Sequence, residues 1–284
     1  MSETKNEKMG LIASLYEWVE VFCFALFVVV LLFTFVCRLI TVDGSSMNNT
    51  FVHGDRVVIS GLFYTPKTGD VVVLQDSTSV EMSAPIIKRV IATEGETVDI
   101  DPETWTVTVT DKDGNVRVLE EDYAKKIYTI TLPISWGEIL EIDPESLSAV
   151  VRDNDGVLVS GPVEVIAVDE KNLEVGINGK TVKVNTETLK ATSTDGLGNE
   201  YEVDSDKVKI NLVRMRLPSV GEMYYYQNAI PPSAYPHTVE DGHVFVMGDN
   251  RNGSLDSRFL GDIDERMIIG KALVRIFPRP KIGF

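Results

Sequence analysis

The sequence is poor in cysteine and in positive charge. Its 284 residues include only two cysteines, Cys23 and Cys37, and both lie within one apolar run. Two such cysteines exclude a disulfide framework. No Cys/His group has the spacing of metal ligands, so we expect neither a metal nor another cofactor. Lys and Arg total 27 against 43 Asp and Glu, a formal net charge of −16. This balance argues against a nucleic-acid partner, because a phosphate backbone requires clustered basic residues.

Long apolar segments are also scarce, with one exception near the N-terminus. Val21–Cys37 carries no charge, and two further apolar residues follow Arg38. At about 1.5 Å per residue, some 20 helical residues cross the ~30 Å hydrocarbon core of a bilayer. A buried core helix would show a polar stripe, and a cleaved signal peptide would end in small residues. The run has neither feature, so we predict an uncleaved transmembrane anchor over residues 18–40, in contact with membrane lipid, behind a tail of residues 1–17.

Strand signals dominate the rest of the chain. The runs "DRVVIS", "GDVVVLQ", "PIIKRVIA" and "DKVKINLVRMRL" are short and rich in Val and Ile. "TWTVTVT" alternates strictly and returns as "VRVLEE" after the turn "DKDGN". "LEVGINGKTVKV" repeats the pattern around Asn-Gly. The sequence therefore predicts a mainly β protein, with a single N-terminal transmembrane helix followed by a β-rich body.

The middle of the body differs in texture. Residues 120–236 are rich in Asp, Glu and Thr, yet they alternate enough to fold. We predict that they form an inserted β-rich acidic lobe. The core would then consist of residues 41–119 and 237–284.

Three histidines raise the question of a Ser-His-Asp triad. His53 lies seven residues after Ser46, but a histidine beside Gly-Asp is typical of a solvated turn. His237 and His243 lie in no site-like context. A histidine-based triad is therefore the weaker interpretation.

A serine and a lysine fit better. Ser45 and Ser46 follow the predicted anchor, and Lys88 lies inside an apolar strand-like run. A lysine in such a run usually points to water; if it points inward, burial lowers its pKa. A pKa of ~8 leaves roughly a tenth of the amine neutral at pH 7, at a cost of about 3 kcal/mol. Such an amine accepts a serine proton, and a hydroxyl such as Ser254 or Ser257 can orient it.

The strand "VFVM" opens onto the polar segment "GDNRNGSLDSR". Gly, Asn and Asp explain a turn over its first half, but not the hydroxyls, carboxylate and guanidinium of "SLDSR". With "GSSM", "KRVIATEGETV" and "GKALVRIFP", this segment resembles the successive sequence boxes of bacterial type I signal peptidases. The resemblance covers the anchor, roughly residues 40–118, and residues 242–284. It implies a Ser-Lys serine endopeptidase, a hydrolase that removes signal peptides from exported preproteins.

The resemblance also assigns roles. It implies that Ser46 is the nucleophile, that Lys88 is the general base and that the backbone N–H of Ser46 meets the oxyanion. The residues implied as catalytic support are Ser254 beside the lysine, the ion pair of Asp249 with Arg89, and the ion pair of Asp256 with Arg258. It further implies a single-pass protein of the cell membrane whose body lies outside the cytoplasm, in keeping with Lys5 and Lys8 ahead of the anchor.

Several positions depart from the family pattern. Gly44 stands where some relatives carry an oxyanion-binding hydroxyl, with Ser45 as a substitute of different spacing, and Asn49 stands where the family usually has Pro. Nearness to Ser46 and Lys88 suggests Phe51, Val52 and Ile86 as substrate-binding residues. Two alternatives stay open at this point: another, self-processing Ser-Lys peptidase, and a non-enzymatic anchored β-domain that binds partners.

Overall fold

Strands make up most of the regular secondary structure of the protein, which is described by a computed structural model. It describes the chain except residues 1–2, 32–35, 77–81, 136–137, 154, 170, 178 and 195–196. The helices are α1 (Glu3–Leu31) and α2 (Ser257–Leu260), with short 3₁₀ helices at Ser205–Lys207, Glu222–Tyr224, Pro232–Ala234, Arg251–Gly253 and Glu265–Met267. The first seven strands are β1 (Arg38–Thr41), β2 (Arg56–Ser60), β3 (Val71–Leu74), β4 (Ile86–Thr93), β5 (Thr97–Asp101), β6 (Thr106–Thr110) and β7 (Val116–Val118). The next nine are β8 (Tyr128–Ser135), β9 (Glu138–Asp143), β10 (Ser148–Asp153), β11 (Leu158–Ala167), β12 (Asn172–Ile177), β13 (Lys180–Asn185), β14 (Ala191–Thr194), β15 (Glu200–Val203) and β16 (Lys209–Leu212). The last five are β17 (His237–Thr238), β18 (His243–Met247), β19 (Ile263–Asp264), β20 (Ile268–Phe277) and β21 (Lys281–Ile282). The prediction of a mainly β body is confirmed.

The chain divides into two units. Unit 1 contains the described residues up to Ile100, with Val107–Lys125 and Leu217–Phe284, and unit 2 contains Asp101–Thr106 and Lys126–Arg216. These bounds differ from the predicted ones, in which residues 120–125 and 217–236 belong to the lobe and residues 101–106 to the core.

Backbone hydrogen bonds explain this difference in the bounds. Lys125 N–H donates to Asp249 O at 2.7 Å, and Ile230 N–H donates to Arg258 O at 3.0 Å, so both segments are tied to unit 1. Met215 N–H donates to Pro102 O at 2.8 Å, which ties the turn after β5 to unit 2. Such pairings between distant segments are invisible in composition.

The main sheet of unit 1 carries the residues of interest. Its antiparallel strands run in the order β1-β2-β20-β3-β4-β18-β19, with β21 paired to β20. Along β3, Val71 and Val73 pack into one apolar cluster, while Val72 and Leu74 pack into another. The sheet is thus buried on both faces around β3 and β4. A second sheet, β17-β5-β6-β7, includes the hairpin predicted from "TWTVTVT" and "VRVLEE".

Unit 2 is built around one sheet of nine strands, β15-β14-β13-β12-β11-β10-β9-β8-β16. The hairpin predicted at Asn-Gly is present as β12 and β13, paired from Asn172↔Asn185 to Ile177↔Lys180. The strand predicted over "DKVKINLVRMRL" is shorter, because only Lys209–Leu212 pairs with β8. Beyond it, Val213 O accepts the indole N–H of Trp105 at 2.7 Å instead of a ladder bond.

The N-terminal segment is helical over Glu3–Leu31. Its apolar side chains from Val21 to Leu31 are exposed. Residues 32–35 of the predicted anchor lie outside the described residues. Leu39, which the sequence analysis placed in the anchor, lies in β1, where it pairs with Val58. Within the described part of the chain, no helix combines the length and the apolar composition needed to cross a bilayer.

Candidate active site

Ser46 lies in the connection between β1 and β2. The amides of Thr50 and Phe51 donate to Met47 O at 3.0 and 2.8 Å, which folds the segment after Ser46 into a tight turn. Met47 is 1% exposed and anchors the turn in the apolar cluster of the main sheet. Ser46 itself is half-buried. The turn thus presents the Ser46 hydroxyl at the edge of the core.

Lys88 lies on β4, between β3 and β18. The side chain is buried, with 3% of the residue exposed. Its Nζ donates to Ser46 Oγ at 3.0 Å and to Ile87 O at 2.9 Å. The lysine therefore points inward, against the usual behaviour of this residue type, and meets the serine at hydrogen-bond distance.

Burial lowers the pKa of Lys88 from 10.5 to about 8. The carboxylates of Asp256 and Asp249 oppose this shift, and the Arg258 guanidinium adds to it. Burial outweighs the two carboxylates, so roughly a tenth of the amines are neutral at pH 7. A neutral amine at this position can take the proton of Ser46.

Arg89, next to Lys88 on β4, joins the strand to the polar loop. Its Nε donates to Asp249 Oδ1 at 2.9 Å and its Nη2 to Asp249 Oδ2 at 2.7 Å. Both side chains are buried. Asp249 also accepts a hydrogen bond from the Thr50 hydroxyl, which connects the pair to the Ser46 turn.

A second buried pair lies inside the loop. Arg258 donates from Nε to Asp256 Oδ1 and from Nη2 to Asp256 Oδ2, each at 2.8 Å. Asp256 also caps α2 and accepts the amide of Gly248 at 2.9 Å. Burial opposes ionisation of Asp256, but Arg258 and these hydrogen bonds outweigh it and hold the pKa of the carboxyl below its usual value.

Gly248 permits a close approach of the loop to the serine. A Cβ at this position would lie 2.5 Å from Ser46 O and 2.2 Å from Ser254 Oγ. Directly beside it, Asn250 N–H donates to Ser46 O at 3.0 Å and its Nδ2 donates to Ser45 O at 3.1 Å. The turn residues of "GDN" therefore hold the Ser46 segment against the loop.

Ser254 lies within this contact and is 2% exposed. Its hydroxyl has no hydrogen-bond partner of ordinary geometry among the described residues, although it is close enough to Asp256 to contribute to the lowered pKa of that carboxyl. The predicted hydrogen bond from Ser254 to Lys88 is therefore not made in this conformation.

The three predicted substrate-binding residues differ in environment. Phe51 is fully buried, with its ring centroid 4.4 Å from that of Phe284, so it contributes core packing rather than surface. Val52 is 49% exposed and Ile86 is half-buried. Phe51 was proposed on sequence distance from Ser46, which does not determine the direction of a side chain.

Two of the three histidines pair with carboxylates, and none of the three makes a hydrogen bond to Ser46 Oγ that the structure describes. His53 Nδ1 lies 3.0 Å from Asp43 Oδ1 at an exposed site, and His237 Nε2 lies 2.9 Å from Asp262 Oδ1. Among the described residues, no group of three or more His, Cys, Asp or Glu side chains could hold a metal ion.

Comparison with known proteins identifies the family. A family model described as "Signal peptidase, peptidase S26" matches residues 15–149 and 162–277, which is most of the chain. The chain belongs to this family. The residues that make up the Ser46, Lys88 and 248–258 region all fall within the match.

Relatives from bacteria carry the family's name. The chain is 34% identical over 89 residues to "Probable signal peptidase I-2" of Synechocystis, covering 30% of this chain and 37% of the relative. It is 31% identical over 134 residues to "Probable signal peptidase I-1" of the same organism, covering 45% and 56%. "Signal peptidase I" of Aquifex aeolicus is 26% identical over 243 residues, covering 84% and 75%. The chain thus spans only about a third to a half of the two Synechocystis relatives.

One departure from the signal peptidase pattern, Asn49 in place of proline, is reflected in the backbone conformation. Asn49 has a φ of 93°, in the left-handed region. Proline, the residue usual in the family there, holds φ near −65°. The backbone of this turn is therefore built differently at Asn49, while the Ser46–Lys88 contact is retained.

The signal peptidase boxes do not include two further residues of the site. Glu121 accepts two hydrogen bonds from Arg251, and the Tyr123 ring lies 3.8 Å from the Arg89 guanidinium carbon. Both residues lie in the segment whose composition predicts the acidic lobe. Arg251 in "GDNRNG" gave one indication of them, because it had no predicted partner and a buried arginine requires an acidic one.

Proposed function

We propose that the chain is a membrane-bound serine endopeptidase that cleaves signal peptides from exported preproteins through Ser46 and Lys88. The observation that carries this proposal is the 3.0 Å contact between Ser46 Oγ and a buried Lys88 whose pKa is lowered to about 8. Family membership supports the same activity.

The geometry supports a two-step acyl transfer. Neutral Lys88 takes the Ser46 proton as Oγ attacks the scissile carbonyl carbon of the preprotein. The Ser46 N–H donates to the oxyanion of the tetrahedral intermediate. The C–N bond then breaks, and the Lys88 ammonium gives its proton to the departing amine. Lys88 next accepts a proton from water as the water oxygen attacks the acyl carbonyl carbon. The ester bond to Ser46 Oγ then breaks, Oγ takes the proton back from Lys88, and the signal peptide leaves as a carboxylic acid.

The buried pairs have supporting roles in this proposal. Arg89–Asp249 holds β4 to the loop, Asp256–Arg258 shapes the loop, and Ser254 is the hydroxyl proposed to orient the amine. Val52 and Ile86 are the proposed surface for small apolar side chains of the substrate, and Phe51 supports them from the core.

We further propose that the N-terminal apolar segment anchors the protein in the cell membrane. The apolar side chains exposed between Val21 and Leu31 support this, because surface of this kind is stable in lipid rather than water. The proposed order is a cytoplasmic tail over residues 1–17, an anchor within residues 18–40 that ends before β1, and a body outside the cytoplasm. The anchor keeps the site near the bilayer, where the apolar part of a signal peptide lies, and so raises its effective concentration.

The test is cleavage of a purified preprotein by the detergent-solubilised full chain across pH 6 to 10. We expect kcat/KM to rise with pH to a plateau above a midpoint of about 8, because Lys88 must lose its proton. Ser46→Ala and Lys88→Met should each abolish cleavage while the thermal unfolding transition is retained. Lys190→Met, which removes an exposed lysine of unit 2, should cleave like the wild type. Full activity in either dyad variant, or a flat pH profile, would overturn the proposal.

A further inference from the structure

Residues 121–125 form a segment of unit 1 that packs against the polar loop of residues 248–258. Glu121 accepts hydrogen bonds from Arg251 Nη1 at 2.9 Å and Nη2 at 2.6 Å. The Arg251 side chain is fully buried and that of Glu121 is 4% exposed. Burial would lower the pKa of Arg251, but Glu121 outweighs burial and raises it, so the guanidinium stays charged. A buried two-point contact of this kind sets the position of both partners.

Tyr123 contacts the other arginine of the site. Its ring centroid lies 3.8 Å from the Arg89 guanidinium carbon and 6.0 Å from that of Arg251. Its hydroxyl donates to Glu121 Oε1 at 3.1 Å. One aromatic ring thus covers a guanidinium whose edge is bonded to Asp249, a favourable cation–π arrangement at a desolvated site.

The backbone of the segment adds a third contact. Lys125 N–H donates to Asp249 O at 2.7 Å. On the far side of that residue, Asn250 N–H donates to Ser46 O at 3.0 Å, and Arg251 Nε donates to Gly248 O at 3.0 Å. The segment therefore holds Asp249 and Arg251, the two neighbours of Asn250, whose backbone amide binds Ser46 O.

These contacts are connected to the side chains of Ser46 and Lys88 through neighbouring residues. Arg89 follows Lys88 directly on β4, so the ring that fixes Arg89 also restricts the strand residue that carries the amine. Asn250 lies between Asp249 and Arg251, both held by the segment, and it binds Ser46 O. None of the segment's side chains reaches Ser46 Oγ or Lys88 Nζ through a hydrogen bond that the structure describes.

We propose that Glu121 and Tyr123 are positioning residues of the dyad, which hold Arg89, Asp249 and Arg251 so that Ser46 Oγ and Lys88 Nζ stay at hydrogen-bond distance. This inference rests on the proposed peptidase function. It assigns to the start of the acidic segment a part in catalysis, through other residues and without contact to substrate.

The arrangement has an electrostatic consequence that a purely structural role lacks. The charged groups that act on Lys88 are Asp256, Asp249 and Arg258, with both carboxylates raising its pKa. Arg89 neutralises Asp249 only while the guanidinium is held in the bidentate geometry. Loosening Arg89 leaves the Asp249 charge less compensated, so the pKa of Lys88 rises and less of the amine is neutral at a given pH.

The experiment compares Tyr123→Phe and Tyr123→Leu in the preprotein assay across pH 6 to 10. Tyr123→Phe keeps the ring over Arg89 and should retain kcat within about twofold, because it loses only one hydroxyl contact. Tyr123→Leu should lower kcat by about 10- to 100-fold with little change in KM, since displacements near 1 Å carry such losses. Its pH midpoint should move to higher pH. Tyr224→Leu, at a tyrosine 84% exposed, is the matched control and should behave like the wild type.

A second readout separates this inference from the proposed function. The ¹³Cε signal of Lys88, assigned by its loss in Lys88→Met, reports the pKa of the amine without any substrate. If the wild type cleaves no preprotein, the proposed function fails, and an upward shift of this pKa in Tyr123→Leu alone still supports positioning. A folded Tyr123→Leu with the wild-type kcat, pH midpoint and Lys88 pKa would overturn the positioning role. If the leucine variant does not fold, Tyr123→Met, whose flexible thioether fills similar space, takes its place with the same two outcomes.

Discussion

Replacement of Gly248 by alanine tests the close approach of the loop to the nucleophile. The added Cβ would lie 2.5 Å from Ser46 O, 2.5 Å from Ser254 Cβ and 2.2 Å from Ser254 Oγ. Ordinary contact begins at 3.4 Å, so the Ser46 carbonyl and the loop must separate by about 0.9 Å. The Ser254 hydroxyl can rotate away, but Ser254 Cβ cannot, and Ser46 O is backbone and is bonded to Asn250 N–H at 3.0 Å.

The same displacement reaches the dyad. Ser46 Oγ lies 3.0 Å from Lys88 Nζ, and an increase of about 0.9 Å takes the pair beyond hydrogen-bond distance. A misplacement near 1 Å costs about 100-fold in rate, which corresponds to about 2.7 kcal/mol of lost transition-state stabilisation. Overpacking should also lower the free energy of unfolding by about 1–3 kcal/mol.

The assay is kcat/KM for preprotein cleavage, together with thermal unfolding of each variant. Gly221→Ala is the matched control, since a Cβ there meets no heavy atom within 4 Å, and its activity and stability should stay at wild-type values. A folded Gly248→Ala enzyme that keeps more than about half of the wild-type kcat/KM would refute the reasoning, because the Ser46 carbonyl would then have moved without cost to the dyad.

Two further predictions concern single residues. Lys88→Met should raise the free energy of unfolding by up to about 3 kcal/mol below pH 8, because burial lowers the lysine pKa from 10.5 to about 8 and the folded state then holds a desolvated charge. That advantage should shrink as pH rises from 8 to 10.5, and denaturant unfolding at pH 7 and pH 10 checks it; a difference that does not depend on pH would contradict buried ionisation. Asn49→Pro should disorder the Ser46 turn and lower both stability and cleavage, since a φ of 93° is closed to proline, whereas Asn49→Gly should be tolerated. Equal thermal stability of the proline and glycine variants would show that the turn adopts another backbone conformation.

Part of the fold was predictable because local sequence patterns specify individual hairpins and strands. Alternation and Asn-Gly specify the β12–β13 hairpin, and strict alternation after Trp105 specifies β6. The boundaries of the two units were harder to predict from the sequence. Residues 217–236 have no local pattern that assigns them to either unit, yet Ile230 N–H is bonded to Arg258 O, a pairing between segments 28 residues apart in sequence.

The candidate site was also predictable only in part. Residue types and their order along the chain suggested a serine and Lys88, since an unusual base calls for a lysine in an apolar run. The choice of Ser46 and the two ion pairs came from the resemblance to the family. Glu121 and Tyr123 were missed because nothing in their local sequence states that a buried arginine lies opposite. The burial of Phe51 was not predictable, because sequence proximity carries no information on the direction of a side chain.

By itself, the sequence determined the class of fold, the family, and the residue types available to the site. The tertiary structure alone decided that Lys88 faces inward between two strands and meets Ser46 at 3.0 Å. The physical reason is that a local pattern reports which face of a strand is apolar, whereas the ionisation of an amine depends on everything packed around it. For Lys88 those surroundings come from β3, β18 and a loop more than 150 residues further along the chain.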